Sequence, residues 1–114
     1  MLTVVEYVRQ DGSVPYRDWF DSLDKGAAAK ISVQILRLQN GIIASVKGLG
    51  SIAECRIDRG PGYRVYLGRE GDRLILLLGG GTKRRQPADI ARAEAVWAEY
   101  KARRTAAGTR SDRG

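Results

Sequence analysis

Apolar and polar residues that alternate with a period of two constrain the fold of this chain more than any other feature of its sequence. Between residues 53 and 58, the side chains that point one way are apolar and those that point the other way are charged: Ala53, Cys55 and Ile57 against Glu54, Arg56 and Asp58. A Gly-Pro-Gly turn follows, and residues 63–67 repeat the alternation. After a turn at 70–72, residues 73–78 are almost continuously apolar, as in a central strand. The sequence therefore predicts three consecutive strands in a meander.

The residues before this meander predict one strand and two helices. Residues 2–8 are rich in β-branched side chains and end at a turn signal. Ser13 is expected to cap a first helix that has Pro15 in its first turn. Asp24 is expected to cap a second helix, with apolar residues at spacings of three and four, that stops at Gly41. This pattern predicts a helical hairpin packed on the sheet.

The rest of the chain predicts a connection, a last helix and a tail. Residues 42–52 have no clear period, so we expect a connection that presents Lys47. Residues 86–104 carry an apolar stripe that docks on the sheet, and residues 105–114 are small, polar and basic, as in a disordered tail. The order β-α-α-β-β-β-α predicts a single α+β domain over residues 1–104.

The charge of the chain is strongly positive. It has 20 Lys and Arg residues against 13 Asp and Glu residues, a net charge of +7. Residues 1–50 hold six basic and five acidic side chains, whereas residues 51–114 hold fourteen and eight, so their net charges are +1 and +6. A basic balance predicts an anionic partner such as nucleic acid, an acidic protein or an anionic membrane, bound by the second half of the chain.

The residue types that are missing or rare exclude several kinds of chemistry. The chain has no histidine, which excludes His-based triads and nearly all zinc and iron sites, and its carboxylates are scattered, so no metal site is expected. Cys55 is the only cysteine and should be a small core residue. The start of the chain has no secretory leader pattern, and no apolar stretch approaches the length of a membrane span, so a cytoplasmic location is expected.

The strongest candidate for a functional site is a group of cations around a tyrosine. If the strands 53–58 and 63–69 pair, Arg56, Arg64 and Tyr66 lie on one open face. The glycine run Gly79–Gly81 is followed by three basic residues that can close over one edge of this patch: Lys83, Arg84 and Arg85. Such groups suit phosphate binding, base stacking and stabilisation of a phosphorane. The alternative is that the arginines are solvated or paired with acidic residues of the neighbouring strand.

Two runs of residues resemble a known family. Residues 55–67 read Cys-Arg-Ile-Asp-Arg-Gly-Pro-Gly-Tyr-Arg-Val-Tyr-Leu, and residues 80–86 read Gly-Gly-Thr-Lys-Arg-Arg-Gln before a helix that begins Pro-Ala-Asp-Ile-Ala-Arg-Ala. The chain thereby resembles the HigB-like "addiction module killer protein" branch of the RelE/ParE toxin superfamily. The likeness covers about residues 2–104 and is strongest over 53–97. It implies a compact antiparallel sheet with an N-terminal helical hairpin and a C-terminal helix.

The resemblance also implies an activity, which is metal-independent and cofactor-independent cleavage of mRNA in the ribosomal A site. The substrate 2′-hydroxyl would attack the adjacent phosphate. Arg64 would stabilise the transition-state phosphate, and Arg56 would bind or orient the backbone. Lys83 with Arg84 would assist the leaving group or contact the scissile phosphate. The remaining candidates for RNA contact are Lys47, Arg59, Tyr66 and Arg85. A tyrosine that some relatives carry at the start of the last helix is replaced here by Ile90, so the general acid and base stay unassigned.

Three functional hypotheses remain open from the sequence. The first is a ribosome-dependent endoribonuclease, the second a ParE-like inhibitor of DNA gyrase with the same fold, and the third a toxin-derived scaffold that only binds its partner. The resemblance implies a cognate antitoxin with an acidic segment and a helix-turn-helix DNA-binding domain. The other partners under the first hypothesis are the ribosome and mRNA. DNA would be bound only through the antitoxin complex, and no membrane is involved.

Overall fold

The computed structural model describes residues 2–113, with side chains described for residues 2–107. Within these residues the elements follow in this order: β1 (Thr3–Glu6), α1 (Pro15–Asp21), α2 (Lys25–Gln39), β2 (Val46–Leu49), β3 (Ile52–Ile57), β4 (Tyr63–Glu70), β5 (Leu74–Thr82), a 3-10 turn (Lys83–Arg85) and α3 (Gln86–Arg113). The fold is of the predicted α+β class, with a five-stranded sheet and a C-terminal helix.

Strand β2 lies where the sequence predicted only a connection, so that prediction is wrong. It pairs antiparallel with β3, with Val46 opposite Cys55 and Lys47 opposite Glu54. The strand has only four residues, and Gly48 interrupts its alternation. A period of two cannot be recognised over so short a segment, although pairing with β3 is enough to form it.

The sheet is mixed, with the strand order β1-β5-β4-β3-β2. The four strands from β2 to β5 are antiparallel to their neighbours, but β1 pairs parallel with β5, from Thr3 opposite Leu74 to Glu6 opposite Leu77. The expectation of a wholly antiparallel sheet is therefore wrong. Parallel neighbours need a long crossover connection, and here the whole chain between β1 and β5 supplies it.

Apolar residues of the sheet pack on both of its faces. One face carries Cys55, Val65 and Leu77 and packs against α1 and α2. The other face carries Ile52, Tyr66 and Leu76 and packs against Ala93, Val96 and Trp97 of α3. The face that the sequence predicted to be open is thus covered by α3, because strands β4 and β5 are apolar on both sides.

Two glycines allow tryptophan rings to lie directly on the backbone of the sheet. A β-carbon on Gly68 would collide with the ring of Trp97 in α3, and a β-carbon on Gly80 would collide with the ring of Trp19 in α1. Each helix therefore approaches the sheet at a position that has no side chain. Gly80 belongs to the glycine run before the 3-10 turn Lys83–Arg85, which is called the basic turn below. The run therefore has a packing role that the sequence did not reveal.

Of the two helix caps predicted near the N-terminus, one is confirmed and the other is wrong. Asp24 caps α2 as predicted, because its Oδ1 accepts a hydrogen bond from the amide of Ala27 at 2.9 Å. The first helix has Pro15 at its start as predicted, but its cap is Val14, which makes no side-chain bond. Ser13 instead donates its hydroxyl to Asp11 at 2.6 Å, which tightens the preceding turn.

Helix α3 continues beyond its predicted end at Arg104 and reaches Arg113. Residues 105–107 are exposed and helical, with two alanines that favour the helix. The predicted tail includes Gly114 and the side chains from residue 108 onward, which lie outside the described residues. The disorder of the tail stays a prediction. Of the helices described, none is both long enough and apolar enough to cross a membrane.

Candidate functional site

The candidate site lies on the α3 side of the sheet, where β3, β4 and β5 meet the 3-10 turn. The strand register places Arg56 opposite Arg64 and Glu54 opposite Tyr66. Residues directly opposite each other in an antiparallel pair point to the same face. The prediction that Arg56, Arg64 and Tyr66 share a face is confirmed.

Glu54 is the centre of this group, and it is fully buried. One carboxylate oxygen, Oε1, accepts a hydrogen bond from Nε of Arg56 at 3.1 Å. The other, Oε2, accepts one from Nε2 of Gln86 at 2.7 Å and lies 3.8 Å from Nε of Arg64. A buried carboxylate needs such partners, because without them the loss of hydration is costly. Glu54 therefore fixes two guanidinium groups and the first residue of α3 relative to one another.

The two arginines differ in their access to solvent. The side chain of Arg56 is 45% exposed, whereas that of Arg64 is 6% exposed. Nη1 of Arg64 donates to the carbonyl of Tyr63 at 3.1 Å, and its Nε has no hydrogen-bond partner among the described residues. Arg64 is thus a rigidly held cation with donor capacity left over, and Arg56 is the member of the pair that an external anion meets first.

The basic turn adjoins this pair at one end of the sheet. Lys83, Arg84 and Arg85 are all exposed, and the amide of Lys83 donates to the carbonyl of Gly62 at 2.8 Å, which ties the turn to the loop before β4. A β-carbon built on Gly62 would lie 3.5 Å from Cβ of Lys83 and 3.6 Å from Nη1 of Arg64. Lys83 and Arg64 therefore flank the same turn, as the sequence predicted for the edge of the patch.

Tyr66 does not have the accessible ring that the sequence suggested. It is fully buried beneath α3, and burial raises the pKa of its phenol to about 12, with smaller contributions from the carboxylates of Asp89 and Glu54. The prediction that its ring stacks on an RNA base is wrong for this conformation, because no part of the ring reaches the surface. Strand alternation gave its face correctly but could not show that a helix covers that face.

The two remaining RNA-contact candidates lie at different distances from the centre of the group. Lys47 is exposed on β2, opposite Glu54, and so belongs to the same face. Arg59 points elsewhere, because its guanidinium lies against Gly26 at the start of α2, on the other side of the sheet. The structure brings Lys47 toward the site and leaves Arg59 out of it.

Two carboxylates of the site were not predicted as functional. Besides Glu54, Asp89 in the first turn of α3 is buried over Gly81, which has no side chain to obstruct it. Its Oδ1 lies 3.7 Å from Nη1 of Arg92, and its Oδ2 has no hydrogen-bond partner among the described residues. The only sequence signal was position: Asp89 falls in a first helical turn, where acidic residues are common.

The group contains no candidate metal ligand set. Across the described part of the chain, no three His, Cys, Asp or Glu side chains are grouped so that they could hold a metal ion. Cys55 is buried in the core on the opposite face, and burial raises the pKa of its thiol to about 11. Cys55 is therefore a core residue, as predicted.

Fold and site together define a class: a basic α+β protein in which a buried glutamate organises two arginines beside an exposed cationic turn. No family model matches the chain. It is 40% identical over 84 residues to a protein of Haemophilus influenzae described as uncharacterized, and the match covers 72% of this chain and 85% of that protein. The chain belongs to the same family as this relative.

Proposed function

We propose that the chain is the toxin of a type II toxin-antitoxin module, of the HigB-like branch of the RelE/ParE superfamily, and that it cleaves mRNA on the ribosome without a metal. The observation that carries the proposal is the buried carboxylate of Glu54, which binds Arg56 and lies 3.8 Å from Nε of Arg64, with Lys83 beside Arg64 at the same end of the sheet. The order of helices and strands is compatible with the arrangement that the resemblance implies, apart from the additional strand β2 and the parallel pairing of β1 with β5.

The proposed reaction is a transesterification at phosphorus. The 2′-oxygen of one nucleotide forms a bond to the adjacent phosphorus, and the bond from phosphorus to the 5′-oxygen breaks. The proton of the 2′-hydroxyl passes to solvent or to a ribosomal group, and the departing 5′-oxygen takes up a proton from solvent or from a ribosomal group. The products are a cyclic 2′,3′-phosphate and a 5′-hydroxyl. The pentacoordinate phosphate gains negative charge, which fixed guanidinium groups stabilise.

The residues divide this work according to their exposure. Arg56, being accessible, binds the phosphate first, and Arg64 donates to an equatorial oxygen as the charge develops. The side chain of Lys83, with Arg84, stabilises the leaving 5′-oxygen. Glu54 has both oxygens in use and touches no substrate, so it acts as a positioning residue. Most of the rate then comes from positioning and charge stabilisation.

A second candidate is inhibition of DNA gyrase by binding alone. The observation that favours it is the burial of Arg64, which is only 6% exposed in its side chain, and of Tyr66. An inhibitor that works through its surface needs no accessible catalytic group, whereas a nuclease must expose Arg64 to its substrate. The two activities predict different outcomes when Arg64 is replaced.

The test is to add the purified protein to a translating extract and to map new mRNA 5′ ends by primer extension. We expect discrete ends that require ribosomes, and a loss on the order of 100-fold in Arg64→Ala. Arg64→Lys, which keeps the charge but loses the planar fork, should retain part of the activity. The matched control is Arg37→Ala, on the exposed surface of α2, which should cleave like the parent protein.

Two outcomes contradict the nuclease. Intact mRNA in the presence of well-folded protein excludes it, and loss of gyrase supercoiling activity under the same conditions assigns the second candidate. Thermal unfolding of Arg64→Ala and Arg64→Lys shows whether a loss of cleavage reflects the missing group or a missing fold. A chain that neither cleaves mRNA nor inhibits gyrase, and does not arrest growth on expression, is a binding scaffold.

The proposal includes partners and a location. A cognate antitoxin with an acidic segment and a helix-turn-helix domain neutralises the basic site, and the pair binds its own operator DNA. The substrate complex is the translating ribosome with its mRNA, which places the toxin in the cytoplasm. The net charge of +7 supports both partners, because each presents an anionic surface.

A further inference from the structure

The buried guanidinium of Arg64 keeps one donor free although a carboxylate lies close to it. Its side chain is 6% exposed, and its Nε has no hydrogen-bond partner among the described residues. Oε2 of Glu54 lies 3.8 Å from this nitrogen, which is about 1 Å beyond the usual length of a hydrogen bond between charged groups. Buried donors are nearly always bonded, so an unbonded donor beside an acceptor needs a cause.

The side chain of Gln86 supplies this cause. Its Nε2 donates to the same Oε2 of Glu54 at 2.7 Å. The other oxygen, Oε1, accepts a hydrogen bond from Nε of Arg56 at 3.1 Å. No further side chain within the described part of the chain donates to this carboxylate. Both oxygens of Glu54 therefore have a partner without Arg64.

Local structure fixes where the amide of Gln86 lies. Gln86 is the first residue of α3, and its backbone N–H donates to the carbonyl of Lys83 in the basic turn. Pro87 follows and restricts the backbone of the first helical turn. The side chain is half-buried and reaches a strand residue 32 positions earlier in the chain. The start of α3 therefore holds a neutral donor against Glu54.

The charges of the group show what a neutral donor achieves here. Two guanidinium groups face a single carboxylate, so the group keeps an excess positive charge. The amide of Gln86 satisfies Oε2 without adding a charge of its own. Because Arg56 forms the direct pair with Glu54, the excess charge lies on Arg64, together with its free Nε.

We propose that Gln86 is a positioning residue: it occupies the oxygen of Glu54 nearest to Arg64 and thereby keeps the Nε donor and the charge of Arg64 available to an anion. Without this amide, Oε2 would be a buried acceptor with no donor, which is costly. The nearest donor is Nε of Arg64. A shift of about 1 Å would close this pair, and Arg64 would then be neutralised by its own neighbour.

The identity of the anion rests on the proposed function, in which it is the phosphate at which mRNA is cleaved. The competition of Gln86 and Arg64 for Glu54 does not depend on that function. It also differs from a purely structural bond in its effect on stability. Loss of a structural bond lowers stability, whereas loss of a competitor lets Oε2 and the unbonded Nε satisfy each other.

The first test is the variant Gln86→Met, which keeps the length of the side chain and removes the donor. In proton–nitrogen correlation spectra, the Nε–H resonance of Arg64 is assigned by its absence from Arg64→Lys. We expect this resonance to move downfield in Gln86→Met and to exchange more slowly with water than in the parent chain. The urea midpoint should be equal to that of the parent or higher.

The matched control is Gln34→Met in α2. The side-chain amide of Gln34 donates to the hydroxyl of Ser45 at 3.2 Å, away from the arginines. This variant should leave the resonance of Arg64 unchanged.

The second test measures mRNA cleavage in the translating extract. Gln86→Met should lower kcat about tenfold and leave KM unchanged, because Arg56 still binds the phosphate while Arg64 acts only as charge develops. In the Glu54→Gln background, adding Gln86→Met should cause no further loss, since the two residues act through one bond. Gln34→Met should cleave like the parent chain.

Several results would overturn the proposal. An unmoved Nε–H resonance in Gln86→Met means that Glu54 does not close on Arg64, and a lowered urea midpoint means that the bond of Gln86 is structural. Cleavage at the parental kcat refutes the positioning role alone. A full further loss in Glu54→Gln/Gln86→Met shows that Gln86 does not act through Glu54. Absence of cleavage by the parent chain refutes the proposed function alone, because the spectra and the urea midpoints still test the competition.

Discussion

The buried carboxylate of Glu54 determines how the arginines of this site are held. The strand alternation places it beside Arg56 on a face expected to carry solvated charges, yet it is fully buried and accepts hydrogen bonds from Arg56 and Gln86. Removing its charge leaves the guanidinium of Arg64 buried without a counter-ion, which is the costly case for a buried pair.

We therefore expect Glu54→Gln to lower the free energy of unfolding by about 2 kcal/mol, since the amide keeps the shape and one acceptor but loses the charge. Urea denaturation measures this. Glu94→Gln, on the exposed side of α3 and without a salt bridge among the described residues, is the control and should change stability by less than about 0.5 kcal/mol. Equal effects in both variants would mean that Glu54 does not hold the arginines.

At the scale of elements, the packing of α3 on the sheet depends on a position without a side chain. The ring of Trp97 occupies the space that a β-carbon on Gly68 would take. A methyl group there must displace either the ring or the strand, and the interior offers no room for either.

Gly68→Ala should consequently destabilise the chain by about 1–3 kcal/mol. Gly48→Ala in β2 is the matched control, because a β-carbon there meets nothing within 4 Å and the backbone is not left-handed. The control should be neutral or slightly stabilising. The denaturant midpoints of the two variants test this prediction. An unchanged midpoint in Gly68→Ala would show that α3 can shift without loss of stability.

The elements also show where sequence reasoning succeeded and where it could not. Strands β3 and β4 were predictable because each side chain reports its own face through the period of two. The parallel pairing of β1 with β5 was not, since it joins segments about 70 residues apart and leaves no local signal. Because Arg56 and Arg64 lie on β3 and β4, their shared face was predictable. The covering of Tyr66 by α3 and the burial of Glu54 and Asp89 were not, because they depend on contacts between segments that are distant in the sequence.

For the molecule as a whole, tyrosine and cysteine side chains buried on the two faces of the sheet make the stability depend on pH in the alkaline range. Burial raises the pKa of Tyr16 and Tyr66 from 10.0 to about 12, and that of Cys55 from 9.0 to about 11. The folded chain keeps protons that the unfolded chain releases first. The stability from these groups is fully present below about pH 9 and is lost as the pH rises toward 12.

We expect the urea midpoint to be steady from pH 7 to 9 and to fall between pH 9 and 11. Tyr66→Phe should flatten this fall at little cost at pH 7, because the phenol oxygen has no hydrogen-bond partner among the described residues. Tyr100→Phe serves as the comparison, since its hydroxyl donates to Glu70 at 2.8 Å and its removal should cost about 1 kcal/mol. A fall of the same steepness in Tyr66→Phe would exclude its phenol as a source.

The thiol of Cys55 can be used to measure how often the core around it opens. Its side chain lies in the middle of β3 under the helical hairpin, where no reagent reaches it while the sheet is intact. Because Cys55 is the only cysteine, maleimide labels the native chain only when this core opens. The labelling rate therefore measures the rate of opening without any introduced probe.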